Sequence, residues 1–337
     1  MNRSLVSIQK KRALIVAAMR GFFASKGFLE VFTPSFVNLP GMEPYLNPLP
    51  YEFTDEKGKR FKGFVITSPE YALKKLLSRG FPKLYEITKV FRQGESFGPL
   101  HNPEFTLVEW YRPHSNYRKI MQDTEELVCA ACLAVHNTLT IKYGNRRIDL
   151  SGPWRRISVK SAFQQWAHID LDRCKTLAGF KKQAGKRNYP IPANVNWDDL
   201  FYLVFLNEIE PQFPKDKPII VYDYPLPQAA LAKRISPKSF YAQRFEAYIG
   251  GIEIANAFSE LTDWREQYNR LKSERAVRKK LGKETYAIDA DFIQALKNGM
   301  PETGGIALGI ERLQMILLNV QDINKLLPFP ASKLWRG

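Results

Sequence analysis

Phe91-Arg92-Gln93-Gly94-Glu95, then a loop, then His101-Asn102-Pro103-Glu104-Phe105-Thr106-Leu107-Val108-Glu109-Trp110-Tyr111-Arg112 decides how the rest of the chain is read. The β-type runs 83–92 and 104–112 flank the loop 93–103, which predicts two strands of one pair. A period of two then sets Phe105, Leu107, Glu109 and Tyr111 on one face of the second strand. Such a loop suits a nucleotide. Arg92 can lie against a phosphate, His101 can reach a terminal phosphate, and Phe105 can stack on a base. Glu109, on the stacking ring's face, then sits beside the nucleotide. The competing reading is a surface loop with an ordinary ion pair.

Working outward, residues 5–26 predict a helix with Ile8, Ile15, Met19, Phe22 and Phe23 near one side, stopped by Gly27. A strand over 28–33 ends at Pro34, and the Pro- and Gly-rich segment 36–62 reads as loop with a hairpin. Residues 63–66 predict a strand running into Thr67-Ser68-Pro69-Glu70, a capping-box pattern opening a helix over 70–78. Further helices are expected over 119–136 and 308–318, a hairpin over 244–258 and a strongly basic helix over 262–281. The middle, 140–240, mixes short helices with Pro-rich joints. Strands and helices do not alternate regularly, so the expected class is α+β, an antiparallel β-sheet flanked by helices.

Three more groups of residues carry chemistry. In Arg244-Phe245-Glu246-Ala247-Tyr248-Ile249-Gly250-Gly251-Ile252-Glu253 the two glycines make a two-residue turn. Tyr248 then pairs with Glu253, and Glu246 lies diagonally from Glu253 on one face. Two carboxylates that close repel one another. Either a divalent cation bridging nucleotide phosphates sits between them, or neighbouring lysines neutralise a solvent-facing pair. Next, Asn256-Ala257-Phe258-Ser259-Glu260 adds Glu260, which with Glu109 can make an acidic pocket for an ammonium group. Last, Gly304-Gly305-Ile306-Ala307-Leu308-Gly309-Ile310-Glu311-Arg312 is a small-residue strand opening a helix. It sets Arg312 where a guanidinium can stack on adenine.

Composition narrows the partners. The 337 residues carry 50 Lys and Arg against 34 Asp and Glu, a net charge of +16, which fits nucleic acid, an acidic protein or a phosphorylated metabolite. A generally lysine-rich proteome gives the same number. Three cysteines exclude a disulfide scaffold and fit a reducing, cytoplasmic setting. No apolar run is long enough to span a membrane, and the stretch 13–19, closed by Arg20, reads as a helix face rather than a secretory signal. Cys129 and Cys132, with His136 nearby, have half a zinc site's spacing but read as core, and His114, His136 and His168 read as structural or surface residues. The basic helix reads as a solvated face or as a docking surface for an acidic partner, with Arg275, Arg278 and Lys279 as the charges to reverse.

Taken together, these blocks resemble the class II aminoacyl-tRNA synthetase catalytic domain, in its lysine branch. Residues 18–34, with Gly27-Phe28-Leu29-Glu30-Val31 and Pro34, look like motif 1, which in the family builds a homodimer interface. Residues 83–112 look like motif 2 and residues 304–318 like motif 3. The resemblance implies one catalytic domain over 1–337, with ATP and Mg2+ as cofactors and formation of an aminoacyl-adenylate. It implies catalysis through Arg92, His101 and Arg312, with Arg92 on the α-phosphate and the other two on the outer phosphates. Glu95 would take the adenine edge and Phe105 its face, with Asn102 also in the ATP site, while Glu246 and Glu253 would hold Mg2+. For the amino acid, Glu70 would receive the α-amino group and Asn256 the carboxylate. Glu109, Tyr111 and Glu260 would surround the side-chain ammonium, with Ser68 and Ala307 completing the pocket.

Within that branch the chain resembles the elongation factor P–(R)-β-lysine ligases. The motif 1 helix starts within the first ten residues or so, which leaves no room for an N-terminal anticodon-binding OB-fold. Trp110 and Ala307 stand where the tRNA enzymes usually have an aliphatic residue and Gly. The resemblance therefore implies lysine or (R)-β-lysine as substrate and elongation factor P, an acidic tRNA-shaped protein, as acceptor. Ser259 is typical of the tRNA enzymes instead, and Ala257 and Glu311 depart from the usual Gly and Asp. A truncated lysyl-tRNA synthetase that charges tRNA, and a non-catalytic paralogue that binds and regulates, are the alternatives.

Overall fold

The computed structural model describes residues 4–187 and 189–335. In chain order its strands are β1 (Leu29–Glu30), β2 (Phe36–Val37), β3 (Leu49–Thr54), β4 (Arg60–Val65), β5 (Leu84–Phe91), β6 (Glu104–Pro113), β7 (Thr140–Tyr143), β8 (Arg146–Asp149), β9 (Arg155–Ser158), β10 (Ile219–Pro225), β11 (Tyr241–Ile249), β12 (Ile252–Ser259) and β13 (Thr303–Gly309). Eight form the main sheet, in the order β1-β5-β6-β13-β12-β11-β10-β9. Its six inner strands, β5 to β10 in that order, pair antiparallel as expected. The two edges differ: β1 lies parallel to β5 and β9 parallel to β10. Each edge strand reaches its partner by a long crossover, the connection that parallel pairing demands. The strand expected over 28–33 is correspondingly short, although Val31 N–H still donates to the Tyr85 carbonyl at 2.9 Å. The hairpin expected before residue 62 exists as β3 and β4, and β2 extends it to a three-stranded sheet.

Alternation along β6 divides the molecule. Val108 and Trp110, fully buried, face a core built with helix α1 (Leu5–Ser25), helix α3 (Tyr117–Leu133) and the helix Ile310–Leu317. Ser4 caps α1 by accepting from Ser7 N–H at 3.2 Å, and Ile8, Ile15, Met19, Phe22 and Phe23 form its buried stripe. Gly27, at φ +69°, supplies the left-handed turn that leads into β1. Because those helices cover one face, Phe105, Leu107, Glu109 and Tyr111 are left for the other, where the site lies.

A second apolar core, around Phe163, Phe180, Phe201 and Phe205, gathers the short helices between β9 and β10 against the far edge of the sheet. Among the described residues no helix is long and apolar enough to cross a membrane. The Cys129–Cys132 pair belongs to α3: Cys132 is buried, Cys129 half-buried, and no cluster of three His, Cys, Asp or Glu side chains able to hold a metal occurs among the described residues.

Candidate active site

The motif 2 strands and motif 3 helix enclose a cleft of about 290 Å³ lined by Arg92, Glu95, His101, Phe105, Glu253, Asn256, Ala307 and Arg312. The Arg92 guanidinium lies 4.9 Å from the centre of the Phe105 ring, a cation–π contact, and its Nε is buried without a hydrogen-bond partner. Arg312 donates from NH1 to the Glu253 carbonyl at 2.9 Å, and its NH2 sits 3.1 Å from His101 Nε2. A guanidinium can only donate, so that ring nitrogen accepts. Burial and the charges of Arg312 and Arg92 lower the His101 pKa, which keeps the ring neutral at neutral pH. Glu95 approaches His101 at 3.9 Å. Asn102 lines the cleft, but both ends of its amide serve the backbone: Nδ2 donates to the Glu104 carbonyl at 2.6 Å and Oδ1 accepts from Ala331 N–H at 2.9 Å. Glu311 braces the cleft from behind, accepting from Thr106 N–H and Oγ1, each at 2.8 Å.

The glycine turn pairs Tyr248 with Glu253 as the sequence implies, but a bulge follows at once. Ala247 faces Ala255 and Glu246 faces Asn256, leaving Ile254 as the extra residue. That residue changes the phase of β12. Glu253 comes to share a face with Asn256 and Glu260, which plain alternation from Glu253 forbids. The adjacent apolar pair Ile254-Ala255 is its signature in the sequence.

Glu246 is more occupied than an ion ligand waiting for charge. Its Oε2 accepts from Tyr224 and Tyr248 hydroxyls, each at 2.6 Å, and its Oε1 accepts from Arg244 NH2 at 2.5 Å. With about four acceptor positions on a carboxylate, one on Oε1 remains. Glu253 is the freer group, and burial with the charge of Glu246 raises its pKa. The two carboxylates therefore interact; Glu253, whose Oε2 Arg312 NH1 approaches at 3.4 Å, and the remaining position on Glu246 are the oxygen donors on offer to a divalent cation.

Next to the cleft, the acidic groups named from the sequence converge. Ser68 Oγ donates to Glu109 Oε1 at 2.6 Å and Tyr111 Oη donates to Oε2 at 3.2 Å. Glu109 and Glu260 are buried, which raises both carboxyls, Glu109 to about 8; the charge of Glu70 adds to both, and Lys74 opposes the shift at Glu260. Glu260 Oε1 has no hydrogen-bond partner. Ala307 lies in register between Glu109 on β6 and Asn256 on β12, and Asn256 Oδ1 accepts from Arg244 Nε at 3.1 Å. The capping box does not form. Helix α2 (Glu70–Leu77) begins after Pro69, and Ser68 Oγ instead accepts from Glu70 N–H at 3.0 Å, tying the helix start to Glu109.

Lys74 escapes the sequence reading, and Arg278 departs from it. Lys74, one turn after Glu70, is buried, forms an ion pair with Glu70 and lies 2.5 Å from Glu260 Oε2. Its ammonium is retained, the two carboxylates outweighing burial. The i, i+4 Glu-Lys spacing was the available signal. Arg278 is buried rather than exposed for docking: it donates to the carbonyls of Glu43 and Leu46, each at 2.8 Å, and to that of Glu284, and so anchors the loop before β3 to the helix Trp264–Lys280. Charge reversal there would disturb the site, and only Arg275 and Lys279 remain as surface probes. Ser259 also faces away, its Oγ accepting from Tyr117 N–H at 2.9 Å.

Comparison with known proteins agrees with this geometry. Residues 1–333 match the family described as tRNA synthetases class II (D, K and N). The chain is 36% identical over 96% of its length to an elongation factor P–(R)-β-lysine ligase of Haemophilus influenzae (strain PittGG), covering 94% of that protein. A Yersinia enterocolitica protein of the same name is 35% identical over 96% of the chain and 94% of its own length. Lysine–tRNA ligase of Chloroflexus aurantiacus is 34% identical over 98% of the chain, which spans 66% of that relative. With its antiparallel motif 2 pair, its motif 3 arginine in the cleft and this near-complete match, the chain belongs to the class II tRNA synthetase family that comprises the D, K and N enzymes.

Proposed function

We propose that this protein is an AMP-forming ligase that activates lysine or (R)-β-lysine with ATP and transfers it to a lysine of elongation factor P. The observation that carries the reading is the buried acidic cluster of Glu109, Tyr111 and Glu260, which pairs through Glu109 with Ala307 in the wall of the cleft that holds Arg92 and Arg312. An acidic pocket selects the side-chain ammonium, and the arginines receive the phosphates. The substrate carboxylate attacks the α-phosphorus of ATP, the P–O bond to the β-phosphate breaks, and pyrophosphate leaves. Arg92 lies along the α-phosphate; Arg312 and neutral His101 receive the outer phosphates, and Phe105 and Glu95 hold the adenine. Glu70 and Asn256 orient the amino and carboxylate groups, with Ser68 and Ala307 shaping the wall. Glu253 and Glu246 would hold Mg2+, which when bound offsets the charge of the phosphate chain. The acceptor amine then attacks the acyl carbon, forming an amide and releasing AMP. Positioning and charge account for the catalysis, with no covalent enzyme intermediate.

Names and coverage of the Haemophilus and Yersinia relatives support the acceptor. A tRNA acceptor is the second reading, favoured by the identity to lysine–tRNA ligase. Intact-mass analysis of elongation factor P after reaction, with lysine and β-lysine in separate tubes and tRNA charging run in parallel, separates the two. A gain of one lysyl unit on the factor is expected; charged tRNA with an unchanged factor overturns the assignment. A homodimer through motif 1 is part of the proposal, supported by exposed Leu14, Leu29 and Phe32.

The raised carboxyls make activation pH-dependent. Glu109, with a pKa of about 8, must lose a proton to receive an ammonium, so lysine binding releases a proton and its KM falls as pH climbs toward 8. The folded state binds the extra protons, so stability declines over the range from the ordinary carboxylate pKa to about 8. Pyrophosphate exchange at saturating ATP across that range checks the first effect, and a flat lysine KM contradicts it.

A further inference from the structure

Behind Glu70 lies a second, smaller space. A pocket of about 40 Å³ lies between the loop from Val37 to Glu43 and the start of α2 from Ile66 to Ala72. A single water needs roughly 10–15 Å³ on this measure, so a water or an ammonium group fits. Glu43 and Glu70 both line it, and Glu43 Oε2 is buried with no hydrogen-bond partner. Tyr71 Oη, from the same wall, is likewise buried and unpartnered. The carboxylate oxygen has room for a donor, and the tyrosine hydroxyl, which both donates and accepts, has room for a partner, in a space of this size.

The charges point to what that donor is. Glu43 feels Glu70, and Glu274 on the basic helix feels both, with Lys74, Arg92 and Arg270 the nearby cations. Lys74 is already engaged by Glu70 and Glu260 on the other side of Glu70. The carboxylate of Glu43 is folded back over the bare Cα of Gly41: a Cβ there would lie 2.9 Å from Glu43 Cδ and Oε1 and nearer still to Oε2. The glycine thus lets the carboxylate occupy this position.

We propose that Glu43 is a further substrate-binding residue that, with Glu70, receives the amino group nearer the substrate carboxylate. This rests on the ligase reading above, in which the side-chain ammonium goes to Glu109 and Glu260. A doubly cationic amino acid then meets an acid at each end. An amino group moved by one carbon changes its distance to Glu43, so the residue also bears on the choice between α- and β-lysine.

The test compares lysine with 6-aminohexanoate, which lacks only that amino group, in lysine-dependent pyrophosphate exchange. Glu43→Gln raises the lysine KM by roughly tenfold or more, the size expected for a hydrogen bond to a charged group, and leaves the ATP KM and the inhibition constant of 6-aminohexanoate unchanged. Gly41→Ala, which keeps the charge but displaces the carboxylate, shifts the same constant in the same direction. Wild-type lysine KM in Glu43→Gln, in a protein whose parent activates lysine, overturns the role of Glu43 alone and leaves a resident water in the cavity. A parent that shows no exchange with lysine or β-lysine removes the ligase reading and this proposal together.

Discussion

Arg92→Ala should lower the rate of lysine-dependent pyrophosphate exchange by about 10²–10³-fold, the cost of removing one preorganised donor from a transition state that gains charge. The lysine KM should change little, because the amino acid pocket is built from other residues. Arg92 is set by the last hydrogen bond of the motif 2 pair, its N–H donating to the Pro103 carbonyl at 2.9 Å. From there the guanidinium reaches over Phe105 among the charges of Glu95, Glu253 and Arg312. Burial lowers its pKa, and its Nε has no protein acceptor. A group held in this way costs little reorganisation when charge develops on an α-phosphate beside it. Arg92→Lys keeps the charge but loses the planar fork and the flat contact with Phe105, and should recover only part of the rate. Stability should be nearly unchanged, since no hydrogen bond of the guanidinium is lost. Exchange within about threefold of the parent rate in Arg92→Ala would show that the cleft does not handle phosphate, a loss too small for an oxyanion-type donor.

How far the sequence carried depended on whether one residue's setting is governed by local period. On β6 it is. Phe105, Leu107, Glu109 and Tyr111 fall on the site face because nothing interrupts the alternation, and Val108 and Trp110 go to the core. The Gly250-Gly251 turn was equally plain, both residues taking positive φ. Past it the reading lost phase, since a bulge at Ile254 costs no unusual residue and leaves only two adjacent apolar side chains to mark it. The middle of the chain was illegible for a similar reason. Its helices contain wide turns at Phe163–Ala167 and Phe205–Ile209, and each slips the 3.6-residue period against the buried face. Charge misled where burial reversed its meaning. Arg278 sits in the most basic run of the chain, yet it bonds three carbonyls and stacks 4.7 Å from Tyr286, so a long cation serves as a loop anchor. Lys74 and Glu43 come from a helix and a loop that only the tertiary fold brings to Glu70. Residues on the central strands were therefore readable, whereas Lys74 and Glu43, delivered by flanking segments, were not.

Two neighbouring glycines on β13 separate the site from the scaffold: replacing either should cost stability, and replacing Gly305 should also damage the site. Strand β13 is paired on both sides, with Gly305 opposite Tyr111 on β6 and Phe258 on β12, so its backbone cannot retreat. A Cβ at Gly305 would come within 2.6 Å of Tyr111 Cδ1 and nearer still to Glu260 Oε1. Gly305→Ala must then push the tyrosine and the carboxylate apart, in the pocket where the ammonium is held. A displacement of about 1 Å at such a site costs on the order of 10²-fold, so the lysine KM should rise by that order while the ATP KM, set at the Arg92 and Arg312 end, stays close to the parent value. Gly304 points to the opposite face. There a Cβ would meet Ile120 Cγ1 at 2.6 Å and the Asn116 carbonyl at 2.8 Å, both on the packed side of α3. Overpacking of that kind costs about 1–3 kcal/mol, so Gly304→Ala should lower Tm with its remaining folded fraction binding lysine normally. Measured together, the two variants divide what a single one confuses: both lose Tm, but only Gly305→Ala also loses lysine affinity in its folded fraction, while Gly304→Ala keeps it. Unchanged lysine affinity in the folded fraction of Gly305→Ala would mean that Tyr111 and Glu260 hold the fold together and do not form a substrate pocket.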